Sequence, residues 1–200
     1  MASEHIYKQY DSDLEAIRAK VLEMGTLVEE QTSNAIQSLL ETDVKLAEKV
    51  IKKDEQINDL EVLIDEEASL LIAKRSPAAG DLRNIMMMLK IITDLERMGD
   101  EASKIARSTT RIFENNRMSK SKFNEIKGMA KAVQEMIKTA LNSFARLDLT
   151  DTIDILEKDK QVDDDYRSTM RELLTFMLED PRTISMSLES MFIAKSLERI

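Results

Sequence analysis

The sequence predicts an all-α protein made of two tandem antiparallel three-helix bundles, the second incomplete at its C-terminus. Three observations carry that prediction. Apolar residues recur at three- and four-residue steps along most of the 200 positions, the period of an amphipathic helix. Breakers are scarce, with four Gly and two Pro, so the helices run long. The pattern also occurs twice: Val28 and Val133, Ala35 and Ala140, Asp43 and Asp148, and Asp54 and Asp159 are each 105 positions apart. Farther along, Glu96 and Glu198, and Arg97 and Arg199, are 102 apart, three residues being lost around a proline turn.

The first helix starts near Ser12, follows Leu14, Ile17, Val21, Met24, Val28, Ala35 and Leu39, and ends near Thr42-Asp43. A second runs through Ala47, Val50, Ile57, Leu60, Ile64, Ala68 and Leu71 to Arg75. Ser76 then suits the N-cap, and Pro77 the first turn, of a third helix. That helix carries Leu82, Ile85, Leu89 and Ile92 and fades around Asn115-Asn116. Met129, Val133, Ala140 and Phe144 mark a fourth, ending near Asp148. Ile153, Leu156, Val162, Met170, Leu173 and Phe176 mark a fifth, stopped by Asp180-Pro181. A sixth opens through Ile184, Leu188 and Met191 and reaches Glu198. Helices of about 30 to 35 residues are roughly 45 to 50 Å long at 1.5 Å per residue. The repeats divide as residues 1–117 and 118–200.

Composition removes several function classes. With 29 basic against 38 acidic residues and a net charge of −9, nucleic acid is not the expected partner. Cysteine is absent, which rules out disulfides and thiolate metal sites. No apolar run approaches the length of a membrane span, and the first ten residues lack a signal-peptide core. A soluble cytoplasmic protein is expected. The only histidine, His5, is read as an exposed terminal residue, so the commonest general base is missing, as is any Gly-rich phosphate loop.

The chemistry that remains belongs to carboxylates. Within Asp94-Leu95-Glu96-Arg97-Met98-Gly99-Asp100, Glu96 continues the apolar stripe of Ile85, Leu89 and Ile92, and Asp100 lies one turn farther on the same face. In the second helix Asp54 and Asn58 are four apart, and Asp54 interrupts the stripe between Val50 and Ile57. The duplicate positions are Asp159 and Asp163 in the fifth helix, with Glu198 in the sixth. Acids on an apolar face are costly unless paired or bound to a cation. Taken singly, such an acid is more often ion-paired than a ligand, and Arg97 has Asp94 and Asp100 within helical reach. Recurrence in both repeats raises the metal reading. Oxygen-only donors suit Mg, Ca, Mn or Fe, and the lack of Cys and of a second His argues against structural zinc. Met86-Met87-Met88 is read first as core filler, with a soft, adaptable partner surface as the alternative, and Asp163-Asp164-Asp165 as a solvated face apart from Asp163.

Leu95-Glu96-Arg97-Met98-Gly99-Asp100 and its echo Leu197-Glu198-Arg199-Ile200 resemble the Glu-x-x-x-Asp signature of the PhoU family. Ile72-Ala73-Lys74-Arg75-Ser76-Pro77 leading into Asp81-Leu82-Arg83 resembles it as well, with weaker support from Glu23-Met24-Gly25 and Leu178-Glu179-Asp180-Pro181-Arg182. The resemblance extends from about Tyr10 to Ile200. It implies a cytoplasmic negative regulator of phosphate uptake, commonly a homodimer, that works with the ATPase subunit of the phosphate-specific ABC transporter and a phosphate-sensing histidine kinase. It implies binding in place of catalysis, and metal bound through the acidic motifs. One site would use Glu96, Asp100, Asp54 and Asn58, and a second Glu198, Asp159 and Asp163. The Gly-Asp expected after Ile200 is missing, which would leave the second site incomplete. Two other readings compete: a spectrin-like helical scaffold, with acids only on outer faces, and a carboxylate-bridged metalloenzyme.

Overall fold

A computed structural model describes residues 2–114 and 124–200. The described residues form α1 (Ala2–Glu41), α2 (Val44–Arg75), α3 (Ala79–Glu114), α4 (Asn124–Arg146), α5 (Thr152–Glu179) and α6 (Ile184–Arg199). The first helix starts well ahead of Ser12 and, at 40 residues, exceeds the expected length. The Asn115-Asn116 stretch and the 117/118 boundary lie outside the described residues.

The turns follow from local chemistry. Thr42 and Leu147, 105 positions apart, both take left-handed backbone, with φ of 68° and 53°, so the α1–α2 and α4–α5 elbows repeat one geometry. Asp43 caps α2 by accepting a hydrogen bond from the Leu46 amide at 3.0 Å. At the other end the expectation for Ser76 is corrected. It closes α2, with φ 46° and its amide donating to the Ile72 carbonyl at 3.0 Å, and α3 begins only at Ala79. A left-handed residue bonded back to the finished helix cannot also open the next one. The matching turn is built differently: Pro181–Thr183 form a short 3₁₀ turn, and the Thr183 hydroxyl donates to the Phe176 carbonyl at 3.0 Å.

Helices α1, α2 and α3 pack on one another, as do α4, α5 and α6, and the two bundles meet through α3–α6 and α1–α4. One apolar cluster, including Val21, Met24, Ile64, Ile85 and Ile92, fills the first bundle. A second runs from Leu39, Val50 and Ile105 into Met129, Val133, Ile193 and Leu197, joining both. Beyond Gly99, α3 is enclosed on almost every side, and Ala102, Ser103, Ala106, Ser108 and Thr109 are the small residues that permit it. Gly25 does the same for α1, since a Cβ there would stand 2.3 Å from Leu141 Cδ2 of α4. Nearby, the Arg18 guanidinium reaches across from α1 and donates to the Phe144 and Ala145 carbonyls at 3.1 and 2.8 Å. A cation is well placed at the C-terminal end of α4.

The duplication persists in side-chain contacts. Lys53 binds Glu30 at 2.8 Å, and Lys158 binds Glu135 at 2.7 Å, both residues of the bridge being shifted by 105. The apolar stripes are less faithful. Leu82 and Met86 in the first turns of α3, Ile153 and Leu156 in those of α5, and Ile184 and Leu188 in those of α6 are exposed, and Ala140 is exposed too. Of the three methionines only Met88 is buried, which corrects the core-filler expectation for Met86 and Met87. Periodicity gives a face, but at the end of a bundle no facing helix covers it.

Candidate metal centre

Three helices of the first bundle build the acidic centre. From α2, Asp54 is buried at 8% exposure, and its Oδ1 accepts from Gln31 Nε2 of α1 at 3.0 Å. The same amide nitrogen lies 3.2 Å from Ser103 Oγ of α3 and 3.3 Å from the Val50 carbonyl, so one Gln31 side chain ties three helices together. Its Oε1 is buried without a hydrogen-bond partner, and it stands 3.1 Å from where a Cβ of Gly99 would project. A side chain on Gly99 would also meet Ile57 Cδ1 at 3.0 Å. The glycine of the Leu-Glu-Arg-Met-Gly-Asp motif is therefore a packing requirement that lets α3 approach α1 and α2 closely.

Glu96 and Asp100 are half-buried on α3. Burial raises the Glu96 carboxyl above its ordinary pKa, and the charges of Asp100, Glu61 and Asp54 push it further, while Lys104 pulls it back. Four carboxylates from α2 and α3 thus share one field. Glu61, on the same face of α2 seven residues beyond Asp54, was not singled out from the sequence. Its only signal there is that spacing. Asn58, one turn from Asp54, is exposed. Arg97 pairs with Asp94 at 3.3 Å, as its spacing suggested.

The second set is dispersed. Asp159 is exposed, Asp163 faces Arg167 at 3.8 Å, and Glu198 binds Lys195 at 2.7 Å. Asp159 and Glu198 line one cavity of about 230 Å³ with Val133, Leu156 and Leu197, whose walls are largely apolar.

The donor chemistry of the first set, carboxylate and amide oxygens, fits a hard cation. Among the described residues, however, no three carboxylate or imidazole side chains stand close enough to hold an ion between them. The acids are gathered into one field without being closed into a cage.

A buried acid of another kind was missed altogether. Glu101 of α3 is 2% exposed and accepts from Ser196 Oγ of α6 at 2.8 Å, while Arg199 and Lys104 lie 3.0 and 3.1 Å away. It follows Asp100 directly and points to the other bundle. Nothing in the periodicity of α3 announces it, because its burial depends on α6. Arg199, from the second Leu-Glu-Arg motif, thus joins the two bundles, whereas Arg97 of the first copy pairs within its own helix.

Fold and site together define a duplicated helical-bundle protein whose polar chemistry is a shared carboxylate field between helices. Comparison with known proteins places it more narrowly. The PhoU domain family matches residues 21–109 and 126–200, one stretch in each bundle. The phosphate-specific transport system accessory protein PhoU homolog of Pseudomonas aeruginosa is 42% identical over 196 residues, covering 98% of this chain and 81% of that protein. The phosphate-specific transport system accessory protein PhoU of Escherichia coli is 39% identical over 198 residues, covering 99% and 81%. A crystal structure of PhoU from Pseudomonas aeruginosa superposes with a TM-score of 0.90 at 41% identity, over 95% of this chain and 90% of that one. The phosphate transport system regulatory protein PhoU from Streptococcus pneumoniae gives 0.85 at 28% identity, over 95% and 88%. The chain belongs to the PhoU family. That membership displaces the spectrin-like reading, as does the burial of Asp54 inside a bundle. Among the described residues no helix is long and apolar enough to cross a membrane.

Proposed function

We propose that this chain is an accessory protein of phosphate transport, acting in the cytoplasm by binding and not by turnover. In this reading it is an adaptor between the ATPase subunit of a phosphate-specific ABC transporter and a phosphate-sensing histidine kinase, and it restrains uptake and the starvation response when phosphate is plentiful. The observation that carries the reading is the similarity over 98–99% of the chain to proteins named as phosphate-specific transport accessory proteins. Deleting the gene should derepress phosphate-starvation genes in high-phosphate medium, read as reporter expression; unchanged expression would sink it. The homodimer expected from the resemblance belongs to the same reading and is checked by light scattering of the eluted protein.

The acidic centre is read as a low-affinity site for a hard divalent or iron-type ion such as Mg, Mn or Fe. Asp54, Glu61, Glu96 and Asp100 would attract it as a shared negative field and not as a closed cage, with water completing its coordination and Asn58 nearby. Such an ion would supply charge neutralisation at the α2–α3 contact. What this chain contributes is Gln31, which fixes Asp54, and Gly99, which lets α3 come close. In the second bundle Asp163 faces Arg167 and Glu198 binds Lys195, which supports a site in the first bundle.

A further inference from the structure

Two groups of exposed apolar side chains lie outside both cores and outside the acidic centre. Near the start of α3 they are Leu82, Met86 and Met87, and near the start of α6 Ile184, Leu188 and Phe192. Leu82 and Ile184, and Met86 and Leu188, are 102 apart, the interval that separates Glu96 from Glu198. Scattered apolar residues on a surface are ordinary, but a group repeated at one register in both bundles is not. The charges beside them are cationic. Arg83 and Lys90 each stand one turn from both Met86 and Met87, and residues 82–93 contain no acid. Among the described residues neither cation pairs with a carboxylate. Along residues 181–195 the exposed charges are Arg182 and Lys195, each beside one carboxylate of its own, Asp180 and Glu198. Glu189 in that stretch is half-buried and faces Arg111 at 3.3 Å.

We infer that these are two matched docking patches, each taking one copy of a partner-protein segment whose apolar side chains are edged by carboxylates. In a chain of net charge −9, an apolar patch flanked by exposed cations selects a partner of opposite rim charge. Two copies of this chain meeting patch to patch would set Arg83 and Lys90 against the same cations, which works against self-association there. An anionic bilayer would repel the chain's net charge, and only two exposed cations flank each patch on its own stretch. Met86 and Met87 supply a soft surface that adapts to the segment it meets. The Ser196–Glu101 and Glu189–Arg111 contacts set α3 and α6 antiparallel, so their starts point to opposite ends of the pair. Met86 and Leu188 are then roughly 35 Å apart along that axis, at 1.5 Å per residue. One short segment cannot cover both, so the partner supplies its segment twice.

This rests on the adaptor reading given above, and the experiment separates the two. The probe is the purified ATPase subunit of the cognate phosphate transporter, titrated calorimetrically into the 200-residue chain. The unsubstituted chain should take two subunits, Met86→Glu or Leu188→Glu one, and the double variant none. Val62→Glu, at an exposed position of α2, should still take two. Every substitution replaces an exposed side chain, so melting temperatures should stay within a few degrees and show each variant folded. Added salt should weaken binding by Leu188→Glu, which keeps the Arg83–Lys90 patch, more than binding by Met86→Glu. Two subunits bound by every variant would overturn the patches while leaving the adaptor reading standing. One subunit per chain, lost in only one of the two single variants, would overturn the pairing. No binding to the unsubstituted chain would overturn the adaptor reading and this inference with it. Sedimentation of the chain with phosphatidylglycerol vesicles, abolished by Met86→Glu, would assign the patch to a lipid surface and overturn the protein partner.

Discussion

The two bundles carry Asp54 and Asp159, and Glu96 and Glu198, at matching positions and treat them differently. In the first, Asp54 is buried under Gln31, and Glu96 lies in the field of Asp100, Glu61 and Asp54. In the second, Asp159 is exposed, Asp163 faces Arg167, and Glu198 is held by Lys195. The contrast extends to apolar positions: Ile51 is partly buried, whereas Leu156, 105 positions later, is more than half exposed. Duplicated sequence gives duplicated helices and even a duplicated surface bridge. It does not give duplicated environments, because these depend on what the other helices place opposite. Gln31 is the clearest instance, since the position 105 residues later is Met136, which cannot hold a carboxylate.

The largest effect that would break or sharpen this contrast lies in the cores. Ile64→Ala should cost about 2–5 kcal/mol in denaturant unfolding, and Leu156→Ala less than about 0.5. Similar losses at both positions would mean that the second bundle is covered where its structure shows it open. Next come the two acids that meet arginine and lysine. Glu101→Ala should cost about 1–3 kcal/mol, since it strips Ser196 and two half-exposed cations of a buried acceptor. Glu198→Ala, which removes a partly exposed pair, should cost no more than about 1 kcal/mol. Equal costs would contradict the assignment of Glu101 as the polar link between bundles.

The smallest effect is on pH dependence. A carboxyl whose folded pKa is raised binds its proton more readily in the folded chain, so its charge opposes folding above that pKa, and the opposition fades as pH falls through it. Glu96→Gln should therefore raise the melting temperature slightly at neutral pH, and the difference should vanish below the ordinary glutamate range. A variant that melts lower at neutral pH would place Glu96 in a stabilising pair.

Much of the fold was legible because it rests on local rules. The six helices, the elbow near Asp43 and the stop at Asp180 follow from period, caps and breakers. Burial of Asp54 was legible too, from its place between Val50 and Ile57. Ser76 misled because a residue that can cap the next helix can equally close the previous one, and only the backbone dihedral decides. Ile153, Leu156, Ile184 and Leu188 misled because an apolar stripe does not disclose where its bundle ends.

By itself, then, the sequence determined the elements, their repetition and the face of each helix, since all three are properties of residues a few positions apart. Tertiary structure alone decided which acids share a field and which are neutralised singly. Gln31 reaches Asp54 over 23 positions, Arg199 reaches Glu101 over 98, and Gly99 matters through Ile57 of another helix. Charge and packing act through space, and only the folded bundle brings those residues within a few ångströms of one another.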